Sequence, residues 1–142
     1  MPLLYTDTDF LQSPAQVLAF GHNARGKPEL GDLETRLFHA FPSAFASYQR
    51  QARRGTLRGG SIWWWDMADR RLAFCIIRDS SVGATRLRYV QNVLLTLVRE
   101  YSLLNIQSVA IAPLGSPQER PEIEKLLASW LQNAPFEAWV HR

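Results

Sequence analysis

The sequence predicts one α/β domain, a three-layer α/β/α sandwich around a mixed central sheet. Three observations predict it. Short apolar runs alternate with stretches of helical periodicity along the whole chain, as in a sheet covered by helices. Two runs, residues 61–66 and 72–77, are separated by the polar turn 67–70 and form a hairpin. The 142 residues suffice for one substantial core and are too few for two ordinary domains, so residues 1–142 are taken as a single domain.

Composition excludes several classes. With 46% hydrophobic and 20% charged residues the chain has enough apolar surface to fold and too few charges to stay disordered. The opening MPLLYTDTDF carries two Asp and no basic segment before an apolar run, and no later stretch reaches bilayer length. A soluble protein with no membrane contact is expected. Cys75, the only cysteine, lies inside LAFCII and can form neither an internal disulfide nor a multi-cysteine metal site. It reads as a small buried hydrophobe in a reducing, cytoplasmic setting. His22, His39 and His141 are too scattered for a local metal motif, so no metal and no cofactor is expected.

Taken in order, residues 2–5 and 16–20 read as strands joined by a polar turn. A glycine-punctuated loop covers 22–31. From Asp32, placed as N-cap, the period becomes helical, with Leu33, Leu37 and Phe41 on one face. Pro42 interrupts that helix, and Phe45, Tyr48 and Ala52 carry a second stripe to Gly55. Gly59 and Gly60 open the hairpin. The loop 78–83 leads to the longest helix, 85–104, where Leu87, Val90, Leu94, Val98 and Tyr101 recur at three- and four-residue steps. A β-branched strand at 108–112, a proline-rich loop at 113–121, a helix at 122–131 and a strand at 136–140 complete the chain.

TDTDFL (6–11), AFGHN (19–23) and LGDLETRLFHAFP (30–42), then a hairpin, a long helix and VAIAPLG (109–115), resemble the macrodomain family over nearly the whole chain. Asp9 and Phe10 take the family's Asp-Ile position, Phe41 and Pro42 its Phe-Pro, and IAPLG its strand end. The chain is most similar to the branch of terminal ADP-ribose glycohydrolases and of antitoxins that remove ADP-ribose from DNA. This resemblance implies an ADP-ribose cleft at the C-terminal ends of the strands. It places Asp9 on the adenine amino group beside Phe10, Asn23 on the distal ribose within the loop from Gly21 to Arg25, and Gly115, Ser116 and Pro117 at the phosphates. Arg78 falls where the branch carries its catalytic lysine, and Glu119 near its acidic residue.

The departures have physical consequences. Phe20 replaces the first Asn of N-x-x-N, ARGKPELGD replaces a glycine-rich segment, and Gly115-Ser116-Pro117-Gln118 replaces G-C-G-L. Glycines let backbone N–H groups approach a diphosphate, and Pro117 has no N–H. An altered phosphate cradle is expected. Arg78 stays protonated, which suits it to a phosphate and disqualifies it as a nucleophile. Each residue also has a plainer role: Asp9 and Asn23 as turn formers, Arg78 pairing with Asp79, Glu119 closing a capping box with Ser116.

Arg50, Arg53, Arg54 and Arg58 form the densest basic run in a chain of isoelectric point near 9.4, and read as a solvated helix end. In Trp63-Trp64-Trp65, strand alternation sends Trp64 one way and its neighbours the other. Three functions follow: a binding module for ADP-ribose, a related nucleotide or an ADP-ribosylated protein or nucleic acid; an ADP-ribosylhydrolase; or a degenerate macrodomain serving as an interaction domain.

Overall fold

The computed structural model describes residues 3–29 and 31–142, so Pro2 of the expected first strand and Leu30 of the 22–31 loop lie outside the described residues. The elements in order are β1 (Leu3–Thr6), a 3₁₀ turn (Phe10–Gln12), β2 (Val17–Asn23), α1 (Asp32–Ala40), α2 (Pro42–Arg53), β3 (Ile62–Asp66), β4 (Arg71–Arg78), α3 (Leu87–Glu100), β5 (Ser108–Ile111), α4 (Arg120–Leu131) and β6 (Glu137–His141). The strands form one sheet in the order β1-β6-β5-β2-β4-β3, parallel at every junction except the antiparallel hairpin β3-β4. The sheet is mixed, as the sequence predicts.

Strand alternation sorts the core into two layers. Val17, Ala19, Ala73, Cys75, Ile77, Val109 and Ile111 face α3 and α4, packing with Val90, Leu94, Leu97, Ile123 and Leu127. Leu18, Phe20, Leu72, Phe74 and Ile76 face α1 and α2, packing with Leu37, Phe45 and Tyr48. Central parallel strands buried on both faces need continuous apolar runs, which LAFCII supplies. Trp64 packs on the α3/α4 side and Trp63 and Trp65 on the other, the expected alternation. Cys75 is buried, and burial pushes its thiol up to about 12, so it is inert at neutral pH.

Several local expectations are corrected. The strand predicted at 16–20 runs on through His22 and Asn23, because parallel pairing with β4 continues beyond the apolar residues. Asp32 is the first residue of α1; the N-cap is Gly31, at φ 119°. Pro42 starts α2 rather than merely breaking α1, since a first-turn residue needs no N–H donor. The α3 helix ends at Glu100 and its core face is Val90, Val93, Leu94 and Leu97, leaving Leu87 exposed at the rim.

Candidate functional site

A cleft of about 700 Å³ opens at the C-terminal ends of β2, β4 and β5. Ligands of open α/β sheets gather at such strand ends, where loops diverge. Phe20 and Gly21 lie in the later half of β2, Arg78 ends β4, and Ala112 and Pro113 follow β5. The start of α1, the segment 81–84 and the turn into α4 form its walls. Of the candidates named from the sequence, Gly21, Arg78, Gly115, Ser116 and Glu119 line it. At both glycines an added side chain would displace a neighbour. A Cβ on Gly21 would lie 2.5 Å from Ile77 Cδ1, and one on Gly115, at φ 74°, 2.7 Å from Glu119 Oε1.

Arg78 does not pair with Asp79. A register shift between His22 and Asn23 brings Asn23 opposite Arg78, and such bulges re-aim side chains beside functional sites. The Arg78 side chain is only 12% exposed; Nη2 donates to Glu29 Oε1 at 2.5 Å and Nη1 to Thr85 Oγ1 at 3.0 Å, while its buried Nε has no partner among the described residues. Asp79 instead accepts from Tyr89 and Arg86, each at 2.7 Å; the Tyr89 hydroxyl foremost holds its carboxyl below the usual carboxylate range.

Glu119 spans two loops. Its Oε1 accepts the Ser116 N–H at 2.9 Å, half of the expected capping box, and its Oε2 accepts the Thr85 N–H at 3.0 Å. Partial burial pushes its carboxyl up, but the N–H groups of Ser116 and Thr85 together outweigh this and the net shift is downward. Beside it Arg120 opens α4 and makes no ion pair among the described residues.

Asp9, Phe10, Asn23, Arg25 and Pro117 do not line this cleft. Asp9 caps the 3₁₀ turn through Leu11 N–H at 3.3 Å and pairs with Arg36, whose hydrogen bond holds its carboxyl low. Phe10 is buried with its ring 5.4 Å from His141, edge-on. Asn23 is fully buried: its Oδ1 accepts from the N–H groups of Arg25 and Lys27, and its Nδ2 donates to Lys27 O at 2.9 Å and to the Glu29 carboxylate. Its amide therefore shapes the loop on which Arg25 is exposed. No three His, Cys, Asp or Glu side chains converge as a metal ion requires among the described residues.

The sequence did not single out Glu29, Glu34 and Arg120 in the cleft, or His22 and Tyr48 behind it. His22 hides inside an apolar strand, and Glu34 sits three residues before the buried Leu37, at the edge of the α1 core face. That spacing was the available signal.

The architecture is shared with solved structures. The macrodomain of Thermus aquaticus DarG superposes with a TM-score of 0.86 at 24% identity, covering 99% of this chain and 97% of that one. The macrodomain of Mycobacterium tuberculosis DarG gives 0.88 at 23% identity, over 98% and 96%. The chain has the macrodomain fold. A third match, Thermosipho africanus DarTG in complex with ADP-ribose, gives 0.89 at 17% identity, over 98% of this chain and 41% of that one. No protein-family model matches the sequence, and no curated protein matches it either. The divergence of this macrodomain-fold chain thus lies in sequence rather than in architecture.

Proposed function

We propose that residues 1–142 act as one macrodomain-like binding module for ADP-ribose or a related nucleotide, carried free or on a modified protein or nucleic acid. The observation that carries this is the cleft at the strand ends, where the Arg78 and Arg120 cations meet the Gly115-Ser116 turn. Guanidinium forks and backbone N–H groups are the usual phosphate partners. The shared fold with a structure described as bound to ADP-ribose supports the same ligand class. No helix among the described residues is long and apolar enough to cross a membrane, and a buried, unpaired Cys75 suits a cytoplasmic location.

Hydrolysis is expected to be absent or very slow. Arg78 stays protonated and is held by Glu29, and both Glu119 oxygens already accept N–H groups, leaving no free general acid at that position. Calorimetric titration with ADP-ribose should give saturable heat, weakened about tenfold by Arg120→Ala, the worth of one charge-assisted phosphate contact. No heat at about 1 mM ligand would remove the proposal, since that marks affinity too weak to use. Release of ADP-ribose from a modified target, abolished by Glu119→Ala, would turn it into the hydrolase reading.

A further inference from the structure

Behind the cleft wall runs a buried polar chain that phosphate binding does not use. His22 is 1% exposed, with the Tyr48 ring 4.3 Å and the Phe45 ring 5.6 Å away. Its Nδ1 lies 2.6 Å from the Tyr48 hydroxyl, and its Nε2 lies 3.0 Å from Glu34 Oε1. The Tyr48 hydroxyl in turn donates to the Asn23 carbonyl oxygen.

Counting protons fixes the roles. A carbonyl oxygen only accepts, so the single Tyr48 proton is committed to Asn23, and Tyr48 must accept from Nδ1–H of His22. A neutral imidazole has no second N–H. Its Nε2 lone pair would then face the lone pairs of the Glu34 carboxylate. The 3.0 Å contact is a hydrogen bond only when a proton lies between them, and an imidazolium facing the ionised carboxylate supplies one. The groups facing His22 are Glu34 from α1, Tyr48 and Phe45 from α2, and Phe20 and Phe74 from the sheet; Glu34 alone of these is an anion.

A charge pair under aromatic rings costs desolvation that an apolar pair in the same place would not, so its position beside a cleft points to use. Glu34 lines the cleft with its side chain 12% exposed. Its Oε2 makes no hydrogen bond among the described residues and is not among the buried unpartnered atoms. One oxygen is therefore anchored from behind and the other is open to the cleft. An anionic acceptor repels phosphate and takes hydroxyl donors, as acidic residues that grip ribose hydroxyls do. Asn23, the residue that resemblance puts on the ribose, has its amide spent on its own loop.

We infer that Glu34, anchored by protonated His22, is the carboxylate that accepts the ribose hydroxyls of the ligand. This rests on the ADP-ribose reading and assigns that site a further binding residue, Glu34, and a positioning residue, His22. The test titrates ADP-ribose and inorganic pyrophosphate, a ribose-free probe of the same cations, into the full chain and into Glu34→Gln. The expected result is about a tenfold loss for ADP-ribose, one hydrogen bond to a charged group, with pyrophosphate binding kept or improved. In parallel, nitrogen NMR of the His22 ring reads its protonation without ligand. Equal weakening of both probes would mark Glu34 as merely structural and overturn the inference, as would unchanged ADP-ribose affinity or a neutral His22 ring at neutral pH. A wild-type chain that binds pyrophosphate but not ADP-ribose would instead sink the ligand reading itself, and this inference with it.

Discussion

The two faces of the sheet are built from different chemistry. On the α3/α4 side the core is mainly aliphatic: Val90, Val93, Leu94, Leu97, Ile123, Leu127 and Leu131 close over small or branched strand residues, with Phe136 the buried aromatic among the described residues. On the α1/α2 side it is aromatic: Phe74 lies within 4.7 to 5.2 Å, centroid to centroid, of Phe20, Tyr48, Phe45 and Trp63. Among the described residues only this second side buries a polar chain, from Asn23 through Tyr48 and His22 to Glu34. Aliphatic packing is non-directional and makes a scaffold. Rings and hydrogen bonds have directions, so the aromatic side can fix where a cleft-lining carboxylate points.

The largest expected effect tests that division. Phe74→Ala should cost about 3–5 kcal/mol and Leu94→Ala about 2–5 kcal/mol, the usual range for such deletions. Urea denaturation measures both. They should part in function: at a temperature where both variants are folded, Leu94→Ala should bind ADP-ribose as the wild type does and Phe74→Ala should not. Equal loss of binding in the two would break the comparison.

Tyr48→Phe sharpens it with a single oxygen. The Tyr48 hydroxyl, its titration pushed up by burial foremost, holds both His22 Nδ1 and the Asn23 carbonyl. Removing it strands a buried donor and a buried acceptor and should cost about 1–3 kcal/mol. Ile77→Val on the aliphatic side should cost about 0.5–1.5 kcal/mol. A smaller loss for Tyr48→Phe would show that the polar chain contributes nothing.

The apolar layers were legible in the sequence and the polar contacts were not, for a physical reason. Helix and strand periods follow from where apolar residues fall, which is why LAFCII, the stripes of α1 and α2 and the Trp alternation read correctly. Arg78 and Glu119 are named from the sequence because a family pattern points at them. Their partners, Glu29 for Arg78 and the Thr85 N–H for Glu119, lie 49 and 34 residues away in sequence, and no local pattern encodes such meetings. His22 reads as an isolated histidine in the sequence, since nothing in AFGHN announces Tyr48 or Glu34.

A smaller effect concerns Glu29, which crosses from the loop before α1 to hold Arg78. An anionic ligand must compete with this carboxylate for the same guanidinium. Glu29→Gln should therefore tighten pyrophosphate binding severalfold, as a neutral amide competes less well than a carboxylate for Arg. Weaker binding in that variant would mean that Glu29 prepares Arg78 rather than blocks it.

The smallest effect belongs to Glu119, which joins the loops leading into α3 and α4 through the Thr85 and Ser116 N–H groups. Its carboxyl titrates below the usual value of 4.5 because those N–H bonds together outweigh the opposing effect of burial. A carboxyl lowered by folding contributes stability that is complete above its unfolded value and lost as pH falls through the lowered folded value. Glu119→Gln cannot offer two anionic oxygens, so the variant should be slightly less stable than the wild type near neutrality. The gap should close on acidification, because the protonated wild type then resembles the amide. Urea midpoints at about pH 7 and about pH 3 bracket that window. A gap that stays constant across it would assign the loss to packing between α3 and α4, and the brace across the cleft mouth would then owe nothing to charge.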